Sequence, residues 1–485
     1  MRIAFVLLGI LWSAAASAQR NPSLAASSWP IYHGSTYATA SAWSGPGDVS
    51  QVQRVRNQGG FLEKTVSPWT VFPAPYASGA QAVLTTPTAG VAKYLLDGDR
   101  FEPVDVLRLD RGLLDFDWTI AVLRDGTALV TERRRNAFVL VGDAYPSPEA
   151  PLAVKRRITV DAARYGTLTA HFTVAYDGRA IALTDANRLV AVDLDAGRVL
   201  ADLALPEGSG VSYHNSFPID ERGRVYLATQ QTMVAIDWTG RRFRLAWEAP
   251  YDMRGPGCED VPPRSLREEV MSVARGERCT GTGTTPTLIG SPDSGVVVVV
   301  DGHAPRNRLV AFWRGDPPRG WRPVADPTDP ARVLDRRVAG VIELPLSTPE
   351  GEGFTAENSP AALGHRIVVA QWAGFRPRRS SPRGVQRVDW EARARRFRLV
   401  WANPEAAFNG VPTIACTQGV RCRAYGMGRL GPRYVYQVLD LDTGRETSRL
   451  DLGRRAGVLD QGNNHAVADD GSIVYGGQRE LVRIR

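Results

Sequence analysis

The stretch that decides the fold is His171-Phe-Thr-Val-Ala-Tyr-Asp-Gly178, followed by Ala180-Ile-Ala182 and Leu189-Val-Ala-Val-Asp193. It contains three short apolar runs, and an Asp-Gly pair separates the first run from the second. Such runs, rich in β-branched residues and bounded by turn residues, are typical of β-strands, and their spacing does not fit a helix. The stretch therefore predicts a small antiparallel sheet.

The same pattern recurs along the chain. An eighth, weaker unit lies between Trp69 and Leu109, and the other units begin at Thr119, His171, His214, Thr284, Asn358, Asn409 and Asn464. Starts that lie roughly 45–70 residues apart fit four-stranded propeller blades with variable loops. We therefore predict an all-β fold, a single closed β-propeller of four-stranded blades, with eight blades expected and seven as the alternative.

The last unit stops at Arg485 after about three strands, which is one strand short of a full blade. A closed ring leaves no open sheet edge between its first and last blades. The missing strand must therefore come from elsewhere in the chain, most simply from the region around Val49–Val55. We expect this N-terminal strand to close the ring.

Two turns carry a resemblance to a known family. Leu189-Val-Ala-Val-Asp-Leu-Asp-Ala-Gly197 and Asp442-Thr443-Gly444 resemble the outer-strand signature of quinoprotein-like (pyrroloquinoline-quinone-repeat) propellers, and Trp29-Pro-Ile-Tyr-His33-Gly34 resembles their opening segment. The resemblance implies that each such turn, with a following Trp, makes a docking contact between neighbouring blades. It implies the fold and not a function, because the repeat is scaffold.

The N-terminus and the four cysteines indicate an exported protein. Met1–Ala18 has an early Arg, a short apolar run and small residues before Gln19, as in a signal peptide, which leaves 19–485 as the propeller. We expect disulfides between Cys258 and Cys279, closing a loop inserted at about 250–283, and between Cys416 and Cys422. The alternative, a zinc site, fits these spacings poorly. The sequence predicts a periplasmic or secreted location and no transmembrane segment.

Charge argues against nucleic-acid binding. The 485 residues carry a net charge of +8, from 59 basic and 51 acidic side chains that are mixed along the chain. A nucleic-acid surface needs its basic residues clustered on one face. We therefore expect a small molecule or an exported protein as partner.

Polar residues recur six positions before the first turn of the blades, where the inner strands begin. Such residues meet at one mouth of a propeller's channel, so we predict a ligand site there. The predicted ligand-binding residues are Thr119, His171, His214, Asn215, Thr284, Thr285, Asn358, Asn464 and His465. The alternative is that these groups only bond neighbouring blades and hold ordered water.

Metal binding at the same mouth is a second possibility. Asp117, Glu357 and Asn409 offer oxygen ligands for Ca²⁺, and the histidines offer imidazole for another divalent metal.

These residues predict a propeller that binds a small ligand, metal ion or protein partner at the channel mouth. A metal- or histidine-dependent hydrolase or lyase at the same site is the alternative, and a quinone-dependent dehydrogenase is the second alternative. The resemblance implies, for such a dehydrogenase, adjacent cysteines over the cofactor, a tryptophan floor and a calcium cluster with a catalytic Asp. No two cysteines here are adjacent, which argues against a bound quinone. The catalytic residues, and whether the protein is an enzyme, stay open.

Overall fold

The computed structural model describes residues 20–57, 69–110, 119–206, 216–254, 258, 260–262, 279, 281–303, 306–346, 356–372, 383–417, 420–454, 465–477 and 479–485. The predicted signal peptide and most of the loop inserted at about 250–283 lie outside these residues. Within them the chain is almost entirely β-structure; its helical parts are one short helix, α1 (Ala162–Tyr165), and a 3-10 turn (Arg133–Arg135). Neither of these is long and apolar enough to cross a membrane.

The strands form eight sheets, which are the eight blades of a propeller. The first four blades contain β3 (Thr70–Val71), β4 (Gln81–Thr85), β5 (Gly90–Asp97) and β6 (Arg100–Arg108); β7 (Ala121–Val122), β8 (Ala128–Glu132), β9 (Ala137–Asp143) and β10 (Leu152–Thr159); β11 (Leu168–Val174), β12 (Ala180–Thr184), β13 (Arg188–Asp193) and β14 (Arg198–Ala204); and β15 (Arg224–Ala228), β16 (Thr232–Trp238) and β17 (Phe243–Pro250). In the fourth blade the inner position is held by a single bridge between Ile219 and Val225.

The other four blades follow in chain order. They contain β18 (Thr287–Ile289), β19 (Val296–Val300), β20 (Arg308–Trp313) and β21 (Val338–Glu343); β22 (Ala361–Leu363), β23 (Arg366–Ala370), β24 (Val385–Glu391) and β25 (Arg396–Asn403); β1 (Ser41–Ala42), β26 (Thr413–Thr417), β27 (Arg421–Leu430), β28 (Arg433–Asp440) and β29 (Glu446–Gly453); and β30 (His465–Val467), β31 (Ile473–Gly476), β32 (Glu480–Ile484) and β2 (Val52–Arg56). The prediction of an eight-bladed, all-β propeller is confirmed.

Apart from β1, which pairs in parallel with β26, each blade is an antiparallel sheet, and its two faces pack against the neighbouring blades. The middle strands are therefore buried on both sides, which explains runs such as Val296–Val300, in which every residue is buried. One apolar cluster joins the third and fourth blades and contains Leu183 of β12 and Ile236 of β16. The core is consequently a set of layers between blades, each filled by alternate residues of both sheets.

The ring is closed by an N-terminal strand, as predicted. Strand β2 pairs antiparallel with β32, with Val52 opposite Ile484. Arg483 reinforces the closure: its buried guanidinium donates to Gln53 of β2 at 3.1 Å, to the carbonyl of Gly98 in the first blade at 2.9 Å, and to Asp470. The last blade is thus joined both to its borrowed strand and to the first blade.

The tryptophan docking contact implied by the resemblance is present between the sixth and seventh blades. Trp401 of β25 donates from Nε1 to the carbonyl of Leu441 at 2.8 Å. Its ring covers Gly444, which has φ +69°, and a Cβ at that position would lie 2.5 Å from the ring. Glycine is therefore required at this turn both by the backbone and by the docked ring.

Both predicted disulfides are present. Cys258 is bonded to Cys279, and Cys416 to Cys422. Cys416 and Cys422 are opposite each other in the hairpin of β26 and β27, so this bond closes the first turn of the seventh blade.

Candidate functional site

Residues 21–42, here called the plug, run inside the ring and contact the inner strands. In the first two blades, Phe72 donates its main-chain N–H to the carbonyl of Trp29 at 3.0 Å, and Val122 donates to that of Pro30 at 2.6 Å. The third blade is bound through a side chain of the plug. Asn21 donates from its amide to the carbonyl of Val174 in the third blade at 2.7 Å.

The second half of the plug crosses to the opposite side of the ring. Ile219, Leu288, Ala362 and Ile414, from four successive blades, donate their main-chain N–H groups to plug carbonyls at 2.8–3.0 Å. The eighth blade is reached by Ser28, whose hydroxyl donates to the carbonyl of Val467. The plug therefore bonds to all eight blades and occupies the central channel.

The plug fills the channel from one face of the ring. All blades have the same strand order, so their first turns lie on one face, the turn face, and their inner strands begin on the other, the mouth face. The plug begins at the turn face, where Ser23 donates to the carbonyl of Tyr176, next to the first turn of the third blade. Its Tyr32 and His33 contact residues that lie near the starts of inner strands. Together with these residues they are here called the floor, which lies on the mouth-face side of the plug.

Thr285 is the centre of this floor. Its Oγ1 lies 3.2 Å from Nε2 of His33 and 3.3 Å from Oγ of Ser216, and its main-chain N–H donates to Oγ of Ser359 at 2.8 Å. Tyr32 also lies close to the hydroxyl of Thr285. The hydroxyl of one threonine therefore joins the plug to the inner parts of the fourth and fifth blades, with the sixth blade held through its main chain.

Tyr32 and Glu357 are the half-buried members of the floor. Burial raises the pKa of Tyr32 above its usual value. The hydroxyl of Thr285 lowers this pKa, and the negative charge of Glu357 raises it further. Tyr32 is therefore a neutral phenol at physiological pH. Its ring packs edge-on against Trp69, with 4.3 Å between ring centroids, which fixes its orientation.

Glu357 lies directly on Gly283. A Cβ at Gly283 would be only 2.1 Å from the carboxyl carbon and both carboxylate oxygens. The backbone of the two segments is joined by a hydrogen bond from Gly283 to the carbonyl of Ala356 at 2.6 Å. The position of the carboxylate thus depends on glycine at residue 283, since any larger residue would displace it.

Of the predicted site residues, Thr285 and Glu357 are brought together at the floor. Thr284 points into the fifth blade instead, where its hydroxyl lies 2.8 Å from that of Thr282 and its Oγ1 accepts from the N–H of Val300 at 3.2 Å. Both threonines precede β18, and their hydroxyls have separate partners: that of Thr285 meets the plug and that of Thr284 meets the fifth blade.

The remaining described residues of the predicted site are buried; His171 lies within β11, and the others lie at or just before the starts of inner strands. Asn358 donates from its amide to the carbonyl of Gln371 at 2.7 Å, and Asn409 donates from its main chain to Met427. Thr119 and His171 are almost fully buried. Their roles as ligand-binding residues stay predictions. The other predicted positions, Asp117, His214, Asn215 and Asn464, lie outside the described residues.

His465 is enclosed between two tyrosines. Its ring stacks on Tyr475 at 4.7 Å between centroids and meets Tyr436 at 5.2 Å. Within the described chain neither of its ring nitrogens has a hydrogen-bond partner, and burial lowers its pKa to about 3. It is therefore a neutral imidazole in the layer between the seventh and eighth blades. A ligand-binding role for His465 remains a prediction.

Sequence reasoning did not assign Tyr32, His33, Trp69 and Ser216 to the site. From the sequence, Trp29-Pro-Ile-Tyr-His33-Gly34 is interpreted only as an opening segment. Its aromatic residues and histidine are the feature that could have indicated a place in the site. The missing information was its path, because the segment is bound by strands that lie up to several hundred residues away.

The described residues do not fit the quinone cofactor that the fold family suggests. Neither disulfide joins adjacent cysteines, and Cys416–Cys422 lies at a first turn, on the turn face. The floor is Tyr32 and His33, not tryptophan, and no group of three or more His, Cys, Asp or Glu suited to a metal ion occurs among the described residues. We derive no reaction step through a quinone.

Comparisons with known proteins agree with the fold. Residues 157–312 match the PQQ_2 family, described as outer membrane protein assembly factor BamB. An uncharacterised protein of Archaeoglobus fulgidus is 24% identical over 298 residues, 56% of this chain and 52% of that protein, so the match spans about half of its length.

Two solved structures have similar folds. The quinohemoprotein alcohol dehydrogenase of Comamonas testosteroni is 10% identical, with 97% of this chain and 81% of that chain covered and a TM-score of 0.53. The quinohemoprotein alcohol dehydrogenase ADHIIG of Pseudomonas putida HK5 is 11% identical, with the same coverage and a TM-score of 0.50. The predicted resemblance to quinoprotein-like propellers is confirmed for the fold.

Proposed function

We propose that this quinoprotein-like propeller binds a small ligand at the mouth of its channel, on the floor formed by Tyr32, Thr285 and Glu357, without bound quinone. The observation that carries the proposal is the plug, which closes the channel below and places a half-buried phenol beside a half-buried carboxylate. A concave recess with a few convergent polar groups is the usual form of a small-molecule site.

The chemistry of the floor favours a neutral or cationic ligand. A carboxylate accepts hydrogen bonds and donates none at neutral pH, so a ligand group that contacts Glu357 has to be a donor. Thr285, Ser216 and His33 are already bonded to one another, which leaves them poorly placed to bind an anion. Alcohol hydroxyl and ammonium groups can donate to Glu357, and a ligand carboxylate or phosphate would be repelled by it.

Export to the periplasm or beyond is part of the proposal. Two disulfides are typical of oxidising compartments. The PQQ_2 match, whose description is an outer membrane assembly factor, supports the same location. Cell fractionation, with N-terminal sequencing of the mature protein, tests it: we expect the mature chain to begin at Gln19.

The ligand proposal is tested by isothermal titration with three probes of equal chain length: an alkanol, an alkylammonium ion and an alkyl carboxylate. We expect the first two to bind and the carboxylate not to bind. Glu357→Gln should weaken alkylammonium binding at least tenfold, and Gly283→Ala should do the same by displacing the carboxylate. Glu405→Gln, which changes an exposed carboxylate paired with Arg383, is the matched control. Equal binding by all variants would reject this site.

A further inference from the structure

We propose that the central channel is a binding site for an extended peptide, that the plug occupies it as an intramolecular ligand, and that the plug sequence supplied in trans can take its place. The site extends beyond the floor, to which the plug contributes Tyr32 and His33, because it lies along the whole path of residues 21–42. Four features of the plug support this inference.

The first feature is recognition through the main chain. Four successive blades donate one inner-strand N–H each to the carbonyls of Thr36, Tyr37, Thr39 and Ala40. Ser41 and Ala42 then pair in parallel with β26. Binding by main-chain hydrogen bonds to the edges of strands is the way in which sheets bind extended peptides. These contacts are available to any peptide that can follow the same path.

The second feature is a pair of aromatic anchors. The side chains of Trp29 and Tyr37 are almost fully buried in the ring. Tyr37 accepts a hydrogen bond from Arg314 at 3.1 Å, and this guanidinium also lies 4.7 Å from the centroid of the tyrosine ring. Buried aromatic anchors of this kind dominate binding at interfaces. They supply the specificity that the main-chain contacts lack.

The third feature is the backbone of the plug, which has conformations that its own residues disfavour. His33, Ala38 and Ala40 have φ values of 60°, 54° and 45°. Left-handed conformations are unfavourable for residues other than glycine, so an isolated segment would rarely adopt three of them. The channel therefore imposes this shape on the segment, as a binding site does on a flexible ligand.

The fourth feature is the exit of the plug from the ring. Trp43, at the exit, is 48% exposed, and the next described strand, β2, begins at Val52. A cut between Trp43 and Ser44 would separate the plug from the blades and would detach, of the blade strands, β1, whose two residues pair with β26. The plug can thus be converted into a separate chain within the folded protein.

The experiment uses the full-length protein with a protease site inserted between Trp43 and Ser44. After cleavage, we expect the plug fragment to co-elute with the ring in size-exclusion chromatography. A fluorescent synthetic peptide of residues 20–43 should then exchange into the cut ring and reach saturation, and the uncut protein should take up at least tenfold less. A peptide with Trp29→Ala and Tyr37→Ala should bind at least a hundredfold more weakly.

Three results would overturn the proposal: unfolding of the ring on cleavage, failure of the peptide to enter a ring that keeps its melting transition, or equal binding of a scrambled peptide. A second variant tests the same proposal in the uncut chain. In the uncut chain, Tyr37→Ala weakens the attached plug, so the wild-type peptide should displace it and bind more strongly than to the unmodified protein. No gain in binding would contradict the inference.

Discussion

The Nε2 atom of His33 lies 3.2 Å from Oγ1 of Thr285, a contact between residues 252 positions apart in sequence. It joins the plug to the inner part of the fifth blade. The neighbouring Tyr32 and Glu357 are the partly exposed residues of the floor.

Thr285 and Thr284 provide a matched pair of variants. Thr285→Val removes the hydroxyl shared by His33 and Ser216, so we expect alkylammonium binding to weaken at least tenfold. Thr284→Val removes a hydroxyl that bonds inside the fifth blade, so we expect unchanged binding and a loss of about 1–2 kcal/mol in the free energy of unfolding. Titration calorimetry and urea unfolding measure both effects. Reversed results would show that Thr284, and not Thr285, belongs to the binding site.

His465 makes the stability depend on pH. Burial lowers its pKa from 6.5 to about 3, so the unfolded chain binds a proton between these values and the folded chain does not. Stability is therefore highest above pH 6.5 and falls as the pH decreases, by at most about 1.4 kcal/mol per pH unit for this group. His465→Phe should flatten the decrease when urea unfolding is compared at pH 7, 6 and 5.

Arg395 occupies a turn position that is glycine in two other blades. It has φ 53°, and its N–H donates to the carbonyl of Glu391, as Gly197 and Gly444 do to Asp193 and Asp440. Arg395→Gly should therefore raise the free energy of unfolding by about 1 kcal/mol, by relieving the left-handed conformation.

The reverse test uses the seventh blade. Gly444→Ala should lower stability by more than about 2 kcal/mol, because both the backbone and the ring of Trp401 oppose a Cβ there. Thermal and denaturant unfolding measure both changes. A destabilising Arg395→Gly would mean that the arginine side chain contributes more than its backbone conformation costs.

Arg483 should be essential to ring closure. Arg483→Met removes donors to Gln53, Gly98 and Asp470, so we expect a loss of about 2–3 kcal/mol in the free energy of unfolding. Arg485→Met removes an ion pair with the exposed Asp99 and should change stability by less than about 0.5 kcal/mol. Equal effects of the two changes would show that closure does not depend on the buried guanidinium.

Local patterns were sufficient to predict the blades, the closing strand and the disulfides. Each of these depends on short-range features: apolar runs between turns, an incomplete last unit, and cysteines close in sequence. The Asp-Gly turns mark the ends of inner strands, so the repeated units can be counted from the sequence. For the same reason the docking of Trp401 on Gly444 followed from the repeat signature.

The site could be predicted only in part, for two physical reasons. The first is side-chain direction: a displacement of one residue moves a side chain from the channel into a blade, and sequence alone did not distinguish Thr285 from Thr284. The second is the plug, whose partners are spread over all eight blades. No local pattern encodes such a path, so Tyr32 and His33 were missed as floor residues.

The pairing of Val52 with Ile484 also affects the order in which the protein can fold. A ribosome produces the plug and the closing strand first, but their last partner only when the final residues are made. Long-range contacts of this kind slow folding and leave unsatisfied strand edges in the meantime. We therefore expect the newly made chain to need protection from aggregation until synthesis of the C-terminus is complete.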